Sequence, residues 1–200
     1  MLWVGWFGFN AGSALAADGA AGMAMFVTHI SAATGALTWM VIEWLKFGKP
    51  SGLGAITGMV AGLATITPAS GSVGPAGALL VGLSGGVICY YATMYLKQTL
   101  KIDDSLDVFP VHGVGGMVGT FLAGILVSGN LGIFSGNGLS DGMTIGSQVG
   151  VQLTGIAATA IYTAIATFVL LKVVGALTSG IRISEEQEQK GCDISDHDEK

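Results

Sequence analysis

Apolar runs of helical length alternate along this chain with short stretches rich in Gly, Pro, Asn, Asp and charge. Reading each run between its punctuation predicts six spans, at about 2–17, 20–45, 53–68, 74–97, 108–128 and 147–177. A bilayer-crossing helix needs roughly 20 predominantly apolar residues. The third run is short for that purpose, and the last is long enough to need tilt or to project from the bilayer. The breaks between runs are Asp18-Gly19, "KFGKPSG", "TPASGSVGP", "KQTLKIDDSLD" and the glycine-rich "SGNLGIFSGNGLSDGMTIG". After Leu177 the pattern turns polar. The expected fold is therefore all-α: a polytopic membrane helical bundle of six spans over residues 1–177, with a tail at 178–200.

Composition agrees with that class. Hydrophobic residues make up 51% of the chain and charged ones only 10%, where a soluble domain carries about a quarter. The net charge of −5 misleads, because seven of the thirteen acids follow Ser184 in the tail. Lys46 and Lys49 lie in the second loop, Lys97 and Lys101 in the fourth, and Lys172, Arg182, Lys190 and Lys200 near the end. The first, third and fifth loops have no Lys or Arg. By the positive-inside rule the tail is expected in the cytoplasm, and with six spans residue 1 is expected there too. The cytoplasmic membrane is the expected location.

The first twenty residues, "MLWVGWFGFNAGSALAADGA", also admit a secretory-signal reading: an apolar run, then Ala14 to Ala17. A signal starts with positive charge. Residues 1–13 have none, and Gly5, Gly8, Asn10 and Gly12 interrupt the core. The segment reads better as a span that begins abruptly, as if the chain were cut inside a helix.

Several residues could carry chemistry. Glycines four apart (Gly54/Gly58/Gly62, Gly82/Gly86, Gly115/Gly119) predict close helix packing. His112, in "DVFPVHGVGGMVGT", lies a few residues into the fifth span, where an ionisable group is a functional hypothesis by default. A neutral imidazole has one donor and one acceptor, suited to a small hydrogen-bonding solute, a proton relay, or a plain helix–helix hydrogen bond. His29, in "FVTHISAATG", reads as packing, and His197 as a solvated tail residue. Asp103, Asp104 and Asp107 precede the His112 span and suit the capping of its start, with Pro110 in the first turn. Trp6 and Phe9 share a helix face, with Asn10 and Ser13 beside them. That set either attracts a cation or forms an interfacial aromatic belt. Cys89 and Cys192 imply neither a disulfide framework nor a metal site. No cofactor, metal or nucleic acid is implied. An enzyme would need a nucleophile–base pair or metal cluster, and His112 has no Cys, Glu or second His at suitable spacing.

At "WFGFNAGSA" together with "DVFPVHGVGG" the sequence resembles the ammonium transporter family (Amt/Mep, with the Rhesus proteins as distant kin). "GKPSGLGAITGMVAGLATITPASG", "LKIDDSLDVF" and the tail "GIRISEEQEQKG" match it too, in order along essentially the whole chain. The resemblance implies an eleven-helix bundle, a homotrimer, and one apolar pore per subunit, the first ten helices forming two inverted halves. On that plan this chain corresponds to helices six to eleven plus the tail. It implies ammonium or ammonia as substrate, Phe9 as a pore-gate ring, Ser13 as the hydroxyl of ammonium recruitment, and His112 as one of a histidine pair in the pore. Trp6 and Asn10 would support the pore wall, and Asp107 would have a structural role at a helix start. The tail resembles the segment that couples subunits and neighbours the docking site for PII-type nitrogen signalling proteins. The partner histidine and the other gate ring belong to helices one to five of that plan. As a lone polypeptide the chain is not expected to conduct selectively. The rival reading is a truncated non-conducting subunit, or an ammonium sensor acting through the tail.

Overall fold

The structure is a computed structural model that describes residues 1–178 and 180–197. Lys200, one of the basic residues placed on the cytoplasmic side above, lies outside the described residues, as do Asp198 and Glu199 of the acidic tail. The chain divides into two compact units, Met1–Ile156 and Ala157–Lys200. All regular structure among the described residues is helical.

The first unit contains α1 (Leu2–Gly12), α2 (Gly19–Phe47), α3 (Gly52–Ile66) and α4 (Pro75–Met94). A π-helical segment, Tyr95–Thr99, continues α4. A second, Val108–Val114, runs directly into α5 (Gly115–Leu126), and α6 (Ile145–Leu177) begins in this unit. The helices fall where the six apolar runs are. Four stretches are long and apolar enough to cross a membrane: Gly19–Phe47, Pro75–Thr99, Phe109–Leu126 and Ile145–Leu177. α3 has 15 residues and α1 only 11, so neither crosses by length alone.

Local chemistry sets the ends. α1 stops at Gly12, short of the expected 17, because the chain turns there. Leu15 takes a positive φ of 60°, and the Asp18 carboxylate caps α2 by accepting from the amides of Ala20 and Ala21 at 2.9 and 3.1 Å. α2 ends on Gly48 at φ 75°, the left-handed position that suits glycine. Ser51 caps α3 through the Gly54 amide at 2.8 Å, and Pro75 opens α4.

α2, α3 and α4 pack on one another, α1 lies on α2, and α5 lies on α3 and α4. Small residues make this possible. A Cβ on Gly62 would collide with the backbone of Ser31, and one on Gly119 with the carbonyl of Thr65. Lipid tails are as apolar as leucine, so tight backbone contact and interhelical hydrogen bonds hold such helices together. Ser31 supplies one of these, its hydroxyl donating to the Gly62 carbonyl at 2.8 Å. One buried cluster gathers Val27, Ile66, Val73, Val81 and Leu126. A second gathers Trp39, Ala61, Cys89, Tyr90 and Val111. The glycine-rich stretch after α5 is fastened to the α3–α4 turn, where Asn137 donates from its backbone to Ser72 O at 2.9 Å and from its side chain to Gly71 O at 2.8 Å.

In the second unit, residues 157–177 complete α6, followed by α7 (Glu185–Lys190) and α8 (Cys192–His197). Ser184 and Gln187 form a capping box at the start of α7. Arg182 Nη2 donates to both carboxylate oxygens of Glu188, at 2.9 and 3.1 Å.

Candidate functional site

The site grows from one face of α1. Trp6 and Phe9 are three residues apart, so both rings leave the helix on the same side. They meet edge to face, with centroids 6.1 Å apart and planes at 79°. The Trp6 indole N–H donates to Thr67 Oγ1 at 2.7 Å. The Thr67 hydroxyl in turn donates to Leu63 O at 2.9 Å, so the indole is tied to the end of α3. A half-buried tryptophan with its N–H satisfied is a rigid wall.

Against that wall stands His112, brought from more than a hundred residues away. Its ring stacks on Trp6 at a centroid distance of 6.0 Å and an interplanar angle of 20°. His112 is exposed on its other side, and Phe9 is 58% exposed. The three rings thus form an open aromatic face with one imidazole in it. A shallow recess of about 350 Å³, bounded by Met1, Leu2, Gly5, Trp6 and Phe9, adjoins it.

The remaining candidates from the same stretch are not in that cluster. Asn10 is turned inward, only 5% exposed, and donates to Thr28 Oγ1 at 2.9 Å. Thr28 passes its own proton to Ala24 O at 2.6 Å. Asn10 therefore joins α1 to α2, one helical turn along from Trp6. Ser13 is exposed at the end of α1, its hydroxyl donating back to Phe9 O at 2.7 Å. The hydroxyl proton is occupied, so the oxygen's lone pairs are what Ser13 offers to its surroundings.

His112 is carried by the π segment, and the capping there differs in detail from expectation. Asp107 directly precedes the segment but makes no side-chain cap. Asp104 does that work, its two oxygens accepting from the amides of Val108 at 2.9 Å and Phe109 at 2.8 Å. Asp107 instead occupies the left-handed region at φ 55°, ψ 33°, and its carboxylate lies 2.7 Å from the Lys97 ammonium. Pro110 is buried in the first turn of the segment. His29 lies against Trp3 at 5.1 Å and Phe7 at 6.1 Å, on the other aromatic pair of α1.

Sequence reasoning missed Thr67, Thr28 and Lys97. Thr67 had a visible signal, a hydroxyl at the polar end of an apolar run. Lys97 was counted only as a charge. Among the described residues no group of three or more His, Cys, Asp or Glu is placed to hold a metal ion.

A model of the Ammonium Transporter Family matches residues 1–200. The ammonium transporter Amt1 of Archaeoglobus fulgidus is 45% identical over 204 residues, covering 100% of this chain and 49% of that protein. The ammonium transporter of Bacillus subtilis is 40% identical over 200 residues, again covering 100% of this chain and 49% of its own length. Among solved structures, Saccharomyces cerevisiae Mep2 matches with a TM-score of 0.80 and 40% identity, over 92% of this chain and 42% of Mep2. A structure described as a sensor Amt protein matches with a TM-score of 0.86 and 27% identity, over 98% of this chain and 46% of its own. The chain spans about half the length of the curated relatives it matches. Those relatives are named transporters, so the family is one of transporters and not of enzymes. With its long apolar helices and these relatives, the chain is a multi-pass membrane protein and belongs to the Ammonium Transporter Family.

Proposed function

We propose that this protein takes part in moving ammonium across the cytoplasmic membrane, and that the α1–His112 face is one wall of the path. The observation that carries this reading is the stacking of His112 on Trp6 with Phe9 edge-on beside it. Ammonium attracts aromatic faces through their quadrupole, and the lone pairs of the exposed Ser13 hydroxyl can accept one of its N–H donors. The cation pays heavily to enter an apolar passage, whereas ammonia does not. Recruitment at Ser13 and Phe9 is followed by deprotonation, passage of ammonia and separate movement of the proton. Phe9 gates the mouth, and His112 supplies one donor and one acceptor along the path. Trp6 holds that imidazole in place, and Asn10 fastens α1 to α2. Potassium is rejected because it has no proton to shed.

Residues 1–177 form the membrane part and 178–200 a cytoplasmic tail, in a homotrimer whose tail neighbours a site for PII-type signalling proteins. A second reading, ammonium sensing through the tail, is favoured by one observation, the TM-score of 0.86 to a protein described as a sensor. The first reading is tested by uptake of labelled methylammonium in cells carrying the native protein or His112→Ala. Loss of saturable uptake in the variant, at equal protein level, is the expected result. Unchanged saturable uptake removes His112 from the path.

A further inference from the structure

A charge pair links one irregular helical segment to the residue that opens another, the one that carries His112. α4 leaves regular winding at Tyr95, and Lys97 is the third residue of the resulting π segment. His112 is the fifth residue of the other. Segments of this kind inside longer helices are uncommon and recur at functional sites. Lys97 Nζ lies 2.7 Å from Asp107 Oδ1, with the Asp107 side chain only 14% exposed and that of Lys97 38% exposed. The oxygen is buried, and the Lys97 ammonium is the charge that faces it.

We propose that Lys97 is a positioning residue for His112, holding the strained residue at which the His112 helix begins; this rests on the transport reading above. The two ends of that helix are fastened differently. Its far end is fixed by packing, since Gly115 lies against Thr65 and Cys89, and Gly119 against the Thr65 backbone. Its near end starts from Asp107, in a left-handed conformation that most residues with a Cβ rarely adopt and that aspartate tolerates better than they do. The Asp107 carbonyl accepts from the Val111 amide at 3.0 Å and so sets the first turn. The Asp104 carboxylate binds the first amides of the helix but does not touch the Asp107 side chain. The Asp107 amide also donates to the Asp104 carbonyl at 3.2 Å, and the pull of Lys97 adds a restraint through the side chain. If Asp107 relaxes to an ordinary conformation, the first turn rewinds, and the imidazole five residues on rotates off the Trp6 face. Misplacement of about 1 Å at a working group is enough to cost up to a hundredfold in rate.

The experiment uses the native protein in membranes, with Lys97→Met, Lys97→Arg and the exchange Lys97→Asp/Asp107→Lys, all normalised to protein level. Lys97→Met is expected to lower maximal methylammonium uptake about tenfold, with the half-saturating concentration unchanged because recruitment lies at Ser13 and Phe9. Lys97→Arg is expected to restore it. The exchange is expected to restore part. A second readout is independent of transport: the rate at which a permeant thiol reagent modifies a His112→Cys variant in a Cys89→Ala/Cys192→Ser background. That rate should change several-fold with Lys97→Met and return with Lys97→Arg, whether or not the protein moves methylammonium. Wild-type uptake per molecule in Lys97→Met, or a loss that Arg leaves unrepaired together with an unchanged thiol rate, overturns the proposal. A native protein that takes up no methylammonium while the thiol rate follows Lys97 overturns the transport reading alone.

Discussion

The contact among α2, α3 and α4 and the contact between α1 and His112 lie in the same unit but are built from opposite kinds of residue. In the first, Gly35, Gly58 and Gly62 stand so close that backbone meets backbone, and Ser31 and Thr65 are fully buried. In the second, large rings stand apart at 6.0 and 6.1 Å and exposed on one side, with Trp6 tied through its indole N–H to Thr67. Packing in the first leaves no room for choice, which gives a rigid frame. The second keeps an open polar and aromatic surface, which a frame must hold because the rings do not fill space around one another. The comparison predicts that substitutions in the frame remove the protein, and substitutions at the face remove activity while the protein remains.

The largest effect belongs to the frame. Gly119→Leu puts a side chain against the Thr65 carbonyl, a backbone group that cannot swing aside. Overpacking of this sort costs roughly 1–3 kcal/mol even where neighbours can give, and here the neighbour is main chain. The expected result is little or no folded protein by size-exclusion chromatography in detergent. Gly116→Ala, three residues earlier with nothing within 4 Å of its added Cβ, should leave the yield as it was. Equal yields for the two would mean that close approach of backbones is not what holds this frame.

At the face the effect is smaller and of a different kind. Trp6→Phe keeps a ring but loses the N–H that reaches Thr67. A net hydrogen bond is worth about 1 kcal/mol, so methylammonium uptake should fall about fivefold with yield unchanged. Thr67→Val should fall by a similar factor, and combining the two should add little, since both remove one bond. Additive losses would show that Trp6 and Thr67 act separately.

Much of the frame was legible in the chain. Seven glycines at helical spacing pointed to close packing, and the apolar runs located all six main helices to within a few residues except at the end of α1. That error is instructive. Residues 13–17 are as small and apolar as a helix would accept, and only Asp18-Gly19 signals the turn, which actually begins earlier at the exposed Ser13. The face was less legible. The stacking of Trp6 on His112 joins residues with no shared periodicity, and only the family resemblance placed them in one site. Asn10 reads from spacing as a neighbour of Trp6 and Phe9, yet its side chain is buried against the Thr28 hydroxyl of α2 and does not join the exposed rings. The π winding under His112 has no sequence rule that reveals it, although Pro110 gives a reason for irregularity there, because proline lacks an amide to donate.

The smallest effect tests where the face ends and the frame begins. Asp104 caps the His112 helix through two amides, and removal of a capping side chain costs about 1 kcal/mol. Asp104→Ala should therefore lower the melting temperature of the purified protein by roughly 2–4 °C. Asp104→Asn, which keeps one acceptor oxygen, should fall between. Uptake should drop by no more than the fivefold set by the Trp6–Thr67 bond, since the far end of the helix stays packed against Thr65 and Cys89. If uptake is abolished while the melting temperature barely moves, the cap controls where His112 stands and belongs with the face. If both move together and modestly, Asp104 is a fastening of the frame, and the position of His112 is set by Asp107.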